Sequence, residues 1–334
     1  MTARRLIAAD VGGTHARLAL IDGAGERVAL ARYERYACAD FPSLAALLRR
    51  YIDGLDIAGL DGAAPVDAAV AIAGVLDGDR LINTNLPWPV SSSQTRRDAG
   101  LFQLHLINDF EALAYAAPAI DDVDTRLLCG PARPALAGTI VLIGPGTGLG
   151  AAVCLPGPPL TVLPTEAGHA ALAVGTPREL RILELLLRRW PHVDCERVLS
   201  GPGLVNLYQA IVTLDGVAAR HDGPAAIVAA AHDGDAQAVE ALHTFCALLG
   251  SYAGDLALTF GASEIYVAGG VAERIGDFLA AGAFEARFLN KGALRERLAR
   301  VTVRLVDHGS LGVAGAAQWH RRHAIFEKTA NHST

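Results

Sequence analysis

Arg5 to Ala9 is a short apolar run broken by Asp10-Val11-Gly12-Gly13-Thr14, after which Ala16, Leu18 and Leu20 recur at every second position. Period two in β-compatible residues predicts a strand, a glycine turn and a second strand. Val28 to Tyr33 predicts a third strand. Phe41 to Tyr51, following Asp40, predicts a helix that is apolar at Leu44, Leu47 and Leu48. Ala68 to Ala73 is a further β-rich run, and Asp77-Gly78-Asp79 is a hairpin-type turn. Leu104 to Ile107 predicts a short strand, and Asp109-Phe110-Glu111-Ala112-Leu113 opens a helix. Asn108 is placed to cap that helix, and Glu111 to close a capping box.

The second half repeats the opening. Thr139 to Ile143 is an apolar β-rich run, Gly144-Pro145-Gly146-Thr147-Gly148 a turn, and Leu149 to Leu155 the return strand. Thr176-Pro177-Arg178-Glu179 reads as a capping box with proline at the first helical position, starting a helix that runs to about Trp190. Asp235 to Thr259 is one long helical pattern, with Gly250, Ala253, Gly254 and Ala257 as a small-residue face for close packing. Glu264 to Ala268 predicts a strand ending at Gly269-Gly270. No low-complexity linker separates the halves. The expected organisation is a small α/β domain of residues 1–119 completed by a C-terminal helix within 309–330, and a larger α/β domain of residues 120–308.

Composition fits a globular α/β chain: of 334 residues, 51% are hydrophobic and 19% charged, which excludes a disordered protein. A net charge of −6 argues against a nucleic-acid partner, whose binding faces are basic. Five scattered cysteines with no C-x-x-C pair indicate a reducing compartment, hence the cytoplasm, and argue against a cysteine zinc site. Asp10 cuts the N-terminal apolar run before it could form a signal-peptide core. Pro134 to Thr165 carries no charge, but glycines and prolines punctuate it. Lipid cannot satisfy so broken a backbone, so the segment is read as buried strands joined by tight turns rather than a membrane span.

The glycine turns decide which phosphate chemistry is open. A dinucleotide fingerprint feeds a helix, whereas each turn here feeds a strand; a Walker loop needs a Gly-Lys-Ser/Thr that is missing. What remains is a hairpin turn whose backbone N–H groups and threonine hydroxyl face a phosphate, with ordinary glycine hairpins as the alternative. Gly12, Gly13, Gly146 and Gly148 allow close backbone approach and positive φ. Asp10 is the natural carboxylate to hold Mg²⁺ beside phosphate oxygens, directly or through water. Asp109 lies at the carboxyl end of a strand, where α/β folds place ligands, and a carboxylate there can take a proton from a hydroxyl group. Glu166, His169 and Glu196 could grip a polyol. A Glu-x-x-His pair on a helix would suggest metal, but Pro164 and Gly168 make that segment a poor helix. A satisfied buried histidine and a solvated helix-end Glu196 are the plainer alternatives.

Seven motifs, spread in order over nearly the whole chain, resemble those of the bacterial glucokinases, members of the hexokinase-like superfamily that includes actin. They are Asp10-Val-Gly-Gly-Thr14, Thr84-Asn-Leu-Pro-Trp88, Ile107-Asn-Asp-Phe110, Gly146-Thr-Gly-Leu-Gly150, Glu166-Ala-Gly-His169, Glu196-Arg-Val-Leu-Ser-Gly-Pro-Gly-Leu-Val-Asn-Leu-Tyr208 and Ala268-Gly-Gly-Val271. The resemblance implies a two-domain actin-like ATPase (ribonuclease H-like) fold with a cleft for sugar and ATP. It also implies transfer of the ATP γ-phosphoryl group to the 6-hydroxyl of glucose, with Mg²⁺. It implies Asp109 as catalytic base, with Asn108, Glu166, His169 and Glu196 on sugar hydroxyls. The loops Asp10 to Thr14 (Gly12, Gly13) and Gly146-Thr147-Gly148 would hold the ATP phosphates, and Gly269-Gly270 would lie near the adenosine. Two positions depart from the family pattern: His15 stands where asparagine is usual, and Ala167 where glycine is. The cysteine zinc motif of the related repressor/kinase family is absent, and no helix-turn-helix precedes Asp10. A homodimer is expected. A kinase for another hexose and a catalytically weak sugar-sensing regulator are the competing readings, the latter disfavoured by the presence of Asp10, Asp109 and both threonines.

Overall fold

The computed structural model describes residues 4–22, 28–57, 65–82, 86–121, 123, 125–134, 136–307 and 309–330. The chain divides into two units, Met1–Ile120 with His308–Thr334, and Asp121–Asp307. The first contains β1 (Arg5–Val11), β2 (His15–Asp22), β3 (Ala29–Ala37), α1 (Leu44–Ile57), β4 (Val66–Ile72), β5 (Val75–Asp77), β6 (Arg80–Ile82), β7 (Val90–Ser91), α2 (Ser92–Asp98), β8 (Gln103–Asn108) and α3 (Asp109–Ala116). The second contains β9 (Thr125–Cys129), β10 (Ile140–Pro145), β11 (Leu149–Leu155), β12 (Thr161–Thr165), α4 (Pro177–Leu187), α5 (Gly201–Asp215), α6 (Pro224–His232), α7 (Ala236–Phe260), β13 (Glu264–Val267), α8 (Gly270–Arg274), α9 (Gly276–Ala280), α10 (Ala283–Phe288), α11 (Arg295–Leu298) and β14 (Thr302–Val306). The final helix, α12 (Leu311–Ala330), belongs to the first unit.

In the first unit the main sheet has the order β3-β2-β1-β4-β8. β1, β4 and β8 run parallel, while β2 and β3 return antiparallel. Every residue of β4 is buried, because both sheet faces are covered. One face packs Ile7, Val11, Leu18, Val70 and Ile72 with Leu44, Leu47, Leu48 and Tyr51 of α1. The other face is made of alanines (Ala8, Ala19, Ala69, Ala71) and meets Val313, Ala316 and Ala317 of α12. Small residues on that face let α12 lie close to it. Gly315 continues the fit: a Cβ there would collide with the carbonyl oxygen of Ala112 in α3.

The second unit repeats the plan, with the order β12-β11-β10-β13-β14-β9. β10, β13 and β14 are parallel; β11, β12 and β9 are antiparallel to their neighbours. The long helix α7 is the spine of its core and carries buried Phe245, Leu249 and Ala253. The small-residue face foreseen on α7 is used against α10: a Cβ at Gly250 would overlap the Phe284 carbonyl, and one at Gly254 would lie 2.9 Å from the Phe288 carbonyl oxygen. In an open helix, Gly→Ala stabilises by roughly 0.5–1 kcal/mol. Here the sign reverses, and Gly250→Ala is expected to destabilise the second unit by about 1–3 kcal/mol through overpacking. Thermal denaturation of the variant checks this; an unchanged or raised melting temperature would show that α10 is not seated on α7 as described.

Several local expectations shift. α1 begins at Leu44, not Phe41: Cys38–Asp40 forms a 3-10 turn, and the Ser43 hydroxyl caps α1 by accepting from Ala46 N at 3.1 Å. β3 continues to Ala37 because β2 pairs with it as far as His15. α4 stops at Leu187, three residues short of Trp190. The charge-free segment becomes β10, β11 and β12, but only β10 and β11 are largely buried; β12 is the sheet edge and mostly exposed. Among the described residues no helix is long and apolar enough to cross a membrane.

Candidate active site

In the first unit the chemistry gathers at the carboxyl edge of the parallel strands. Asp10 is in register with Ala71, and Ala71 with Ile107, so Asp10 and Asn108-Asp109 sit on one edge, two strands or about 10 Å apart. The first glycine turn closes through Gly12 N donating to His15 O at 3.0 Å. A backbone carbonyl does this work, so histidine in place of the family's asparagine leaves the turn intact. Cys38 holds the turn from beneath: its N donates to Thr14 O at 2.9 Å and its thiol to Gly12 O at 3.3 Å. Burial, then the nearby Asp10 charge, pushes that thiol's pKa up, so it stays protonated.

Asp10 itself is only 9% exposed. Arg17 Nη1 reaches its Oδ2 at 3.3 Å, and the first turn of α12 lies against it, where a Cβ at Gly312 would stand 2.7 Å from Asp10 Cγ. Asn108 is the N-cap of α3, its Oδ1 accepting from Phe110 N (2.9 Å) and Glu111 N (3.1 Å). With Oδ1 committed, Asn108 offers its amide N–H groups to a ligand. Asp109 occupies the first helical position, and its Oδ1 accepts from Phe110 N at 2.9 Å. The capping box does not close. Glu111 Oε1 instead accepts from the Trp319 indole N–H at 3.1 Å, tying α3 to α12. Burial raises the Glu111 pKa, with the Trp319 bond and His323 working against it.

In the second unit three sequence-distant segments are laced together. The second glycine turn closes through Gly146 N to Gly148 O at 2.8 Å, and Gly146 O accepts from Gly201 N at the start of α5 at 2.8 Å. Glu196 Oε2 accepts from Leu149 N at 2.8 Å, and a Cβ at Gly148 would lie 2.5 Å from that oxygen. Glu196 N donates to Gly168 O at 2.9 Å, while Gly168 lies so near the Leu149 carbonyl that no side chain fits. Thus Gly168, not the departing Ala167, is where this loop requires glycine. Glu196 is no solvated helix-end charge; it braces the second glycine turn. Ser200 explains the long motif around it: its hydroxyl donates to Glu196 O (2.8 Å) and accepts from Gly203 N (3.0 Å) as the N-cap of α5.

Beside this brace, Glu166 precedes and His169 ends a single 3-10 turn (Ala167–His169), with side chains 68% and 56% exposed. His169 is thus not the buried histidine that the plainer reading required. His169 Nε2 stands 3.9 Å from Glu166 Oε2, beyond hydrogen-bond range. On the far side of the ring, Nδ1 lies 3.4 Å from Asp194 Oδ2. Asp194 was not singled out from the sequence, where it is one acid among thirty-five.

The other glycines divide by role. None of Gly12, Gly13, Gly146 and Gly148 has positive φ, so that part of glycine's freedom is not used at these turns. Gly269 does (φ 97°), and a Cβ there would lie 2.6 Å from Pro145 O, so this turn abuts the end of β10. A Cβ built at Gly146 or Gly270 meets nothing within 4 Å, so there is room beside both for a ligand to approach, although the Gly146 N–H and carbonyl are already bonded within the protein. Thr14 and Thr147 are both exposed. Thr84 and Asn85 of the Thr84 to Trp88 motif lie outside the described residues; Trp88 is buried. No group of three His, Cys, Asp or Glu suited to a metal occurs among the described residues. Asp10, a single nearly buried carboxylate beside the exposed Gly13-Thr14 of the first glycine turn, fits Mg²⁺, which takes one or two carboxylates plus substrate phosphates and water.

A family model for glucokinase matches residues 7–323. A glucokinase-like protein of Xylella fastidiosa (strain 9a5c) is 43% identical over 94% of each chain. A glucokinase of Paramagnetospirillum magneticum (strain AMB-1) is 38% identical over 93% of this chain and 96% of its own. Among solved structures, a glucokinase from an Antarctic psychrotroph superposes with TM-score 0.82 at 33% identity, over 96% of this chain and all of its own.

Proposed function

The chain belongs to the glucokinase family, and from that premise we propose how its residues serve the reaction. It is an ATP-dependent hexose kinase that transfers the γ-phosphoryl group of ATP to the 6-hydroxyl of glucose. Asp109 accepts the 6-hydroxyl proton as that oxygen attacks phosphorus. Asn108 donates to one sugar hydroxyl, while Glu166, His169 and Glu196 accept from others. Backbone N–H groups and threonine hydroxyls of the Gly12 to Thr14 and Gly146 to Gly148 turns hold the phosphates, and Gly269-Gly270 lie along the adenosine. Asp10 would hold Mg²⁺, directly or through water, and the bound ion would neutralise charge on the transferring group. Positioning of this kind can supply about 7–11 kcal/mol of the barrier. We place the chain in the cytoplasm, where five buried free thiols stay reduced, and as a homodimer, which sedimentation of the purified protein tests.

The observation that carries this reading is the Glu196 brace. One residue joins the second glycine turn, through its carboxylate, to the Glu166 and His169 turn, through its backbone N–H, as a kinase needs where acceptor and donor meet. ADP formation is measured with a panel of hexoses, with Mg²⁺ and with excess chelator. Glucose is expected to give the highest kcat/KM, and chelation to abolish turnover. Folded protein that phosphorylates no hexose would overturn the enzyme reading in favour of the sugar sensor; preference for another hexose would redirect the substrate.

A further inference from the structure

We infer that Asp194 is a positioning residue that fixes the tautomer of His169 and so makes its Nε2 an obligatory hydrogen-bond acceptor. The inference rests on the proposed sugar contact of His169. Asp194 is 8% exposed and sits at the bridge between residues 171 and 194, just ahead of Glu196. Its two oxygens are differently employed. Oδ1 accepts from Arg197 N at 2.8 Å, and Oδ2 faces His169 Nδ1 at 3.4 Å. An ionised carboxylate can only accept, so a neutral imidazole must carry its proton on Nδ1. Nε2 then presents a lone pair outward. His192 holds the backbone of the same residue, its Nε2 lying 3.1 Å from His169 O.

Glu166 Oε2 and His169 Nε2, 3.9 Å apart, therefore form a pair of acceptors with no donor between them. Such a pair fits two neighbouring hydroxyls of one polyol, each donating one proton, and rejects a ligand that presents an acceptor at either place. Asp194 thus sets a specificity of this subsite without touching sugar. Local sequence carries no trace of this, because residues 169 and 194 meet only through the fold.

Asp194→Asn isolates the effect. The Arg197 N–H keeps the amide oxygen on its own side, which turns the NH₂ toward Nδ1. Nδ1 must then accept, the proton moves to Nε2, and the acceptor that the sugar needs becomes a donor. Nitrogen-15 imidazole NMR at alkaline pH, with His169 assigned by its loss in His169→Gln, reads the tautomer directly. Wild-type protein is expected to be protonated on Nδ1, and Asp194→Asn on Nε2. Glucose affinity by calorimetry should fall about 10- to 100-fold in the variant, as for a lost bond to a poised partner. ATP affinity should stay within about twofold. The wild-type spectrum needs no variant to fold: an Nε2-protonated His169 there overturns the inference. An unswitched tautomer in folded Asp194→Asn also overturns it. A switched tautomer with unchanged glucose affinity overturns the sugar contact of His169 while leaving the kinase reading intact.

Discussion

Asp109→Asn should give a folded protein that binds glucose and ATP and turns over about 10²–10⁴-fold more slowly, the size of a general-base contribution. Folding should survive because Asn108, not Asp109, caps α3. An amide at position 109 keeps an oxygen that can accept from Phe110 N as the carboxylate does now. What the substitution removes is the ability to take a proton. If Asp109 served only the helix terminus, the variant would be both stable and active. Melting temperature, glucose affinity and turnover measured together separate the cases. Wild-type turnover in the variant would exclude Asp109 as the base.

Gly148→Ala should cost glucose binding about 10- to 100-fold, although position 148 belongs to the phosphate turn. The new methyl group would lie 2.5 Å from Glu196 Oε2 and 3.3 Å from its Cδ. A flexible side chain yields before backbone does, so Glu196 swings away. Leu149 N–H loses its charged acceptor, and the sugar loses a contact worth about 1.5–3 kcal/mol. Gly146→Ala is the contrasting variant. Its methyl group meets no protein atom within 4 Å and intrudes only on a ligand at the turn, so ATP affinity should fall while glucose affinity holds. Calorimetry with each ligand decides. Wild-type glucose affinity in Gly148→Ala would mean that Glu196 does not bind sugar from its present anchorage.

Much of the site was legible in the chain because its signals are local. Asn108 caps α3 through bonds to residues two and three positions on, and a cap of that kind is written in adjacent letters. The doubled strand-turn-strand pattern appears as β1-β2 and β10-β11, with Leu149 to Leu155 matching its expected bounds, since a short apolar run beside a glycine turn is read from adjacent residues. The same locality misled at Glu111, where spacing promised a capping box and a tryptophan 208 residues away claimed the carboxylate.

By itself, then, the sequence determined the strands around both glycine turns, the helices α1, α3, α4 and α7, the repeated plan, and the residue types able to do phosphoryl transfer. These follow from backbone propensity, hydrophobic period and side-chain chemistry. Only the tertiary structure decided which glycines are required for close approach and which for conformation. Gly148, Gly168 and Gly312 face a carboxylate or a carbonyl from elsewhere in the chain, whereas Gly269 alone among the nucleotide-turn glycines uses positive φ. It also decided that Glu196 braces a turn 47 residues away and that Asp194 faces His169. Contacts of this kind are made by packing between segments, and nothing within a few residues of either partner specifies the distance between them.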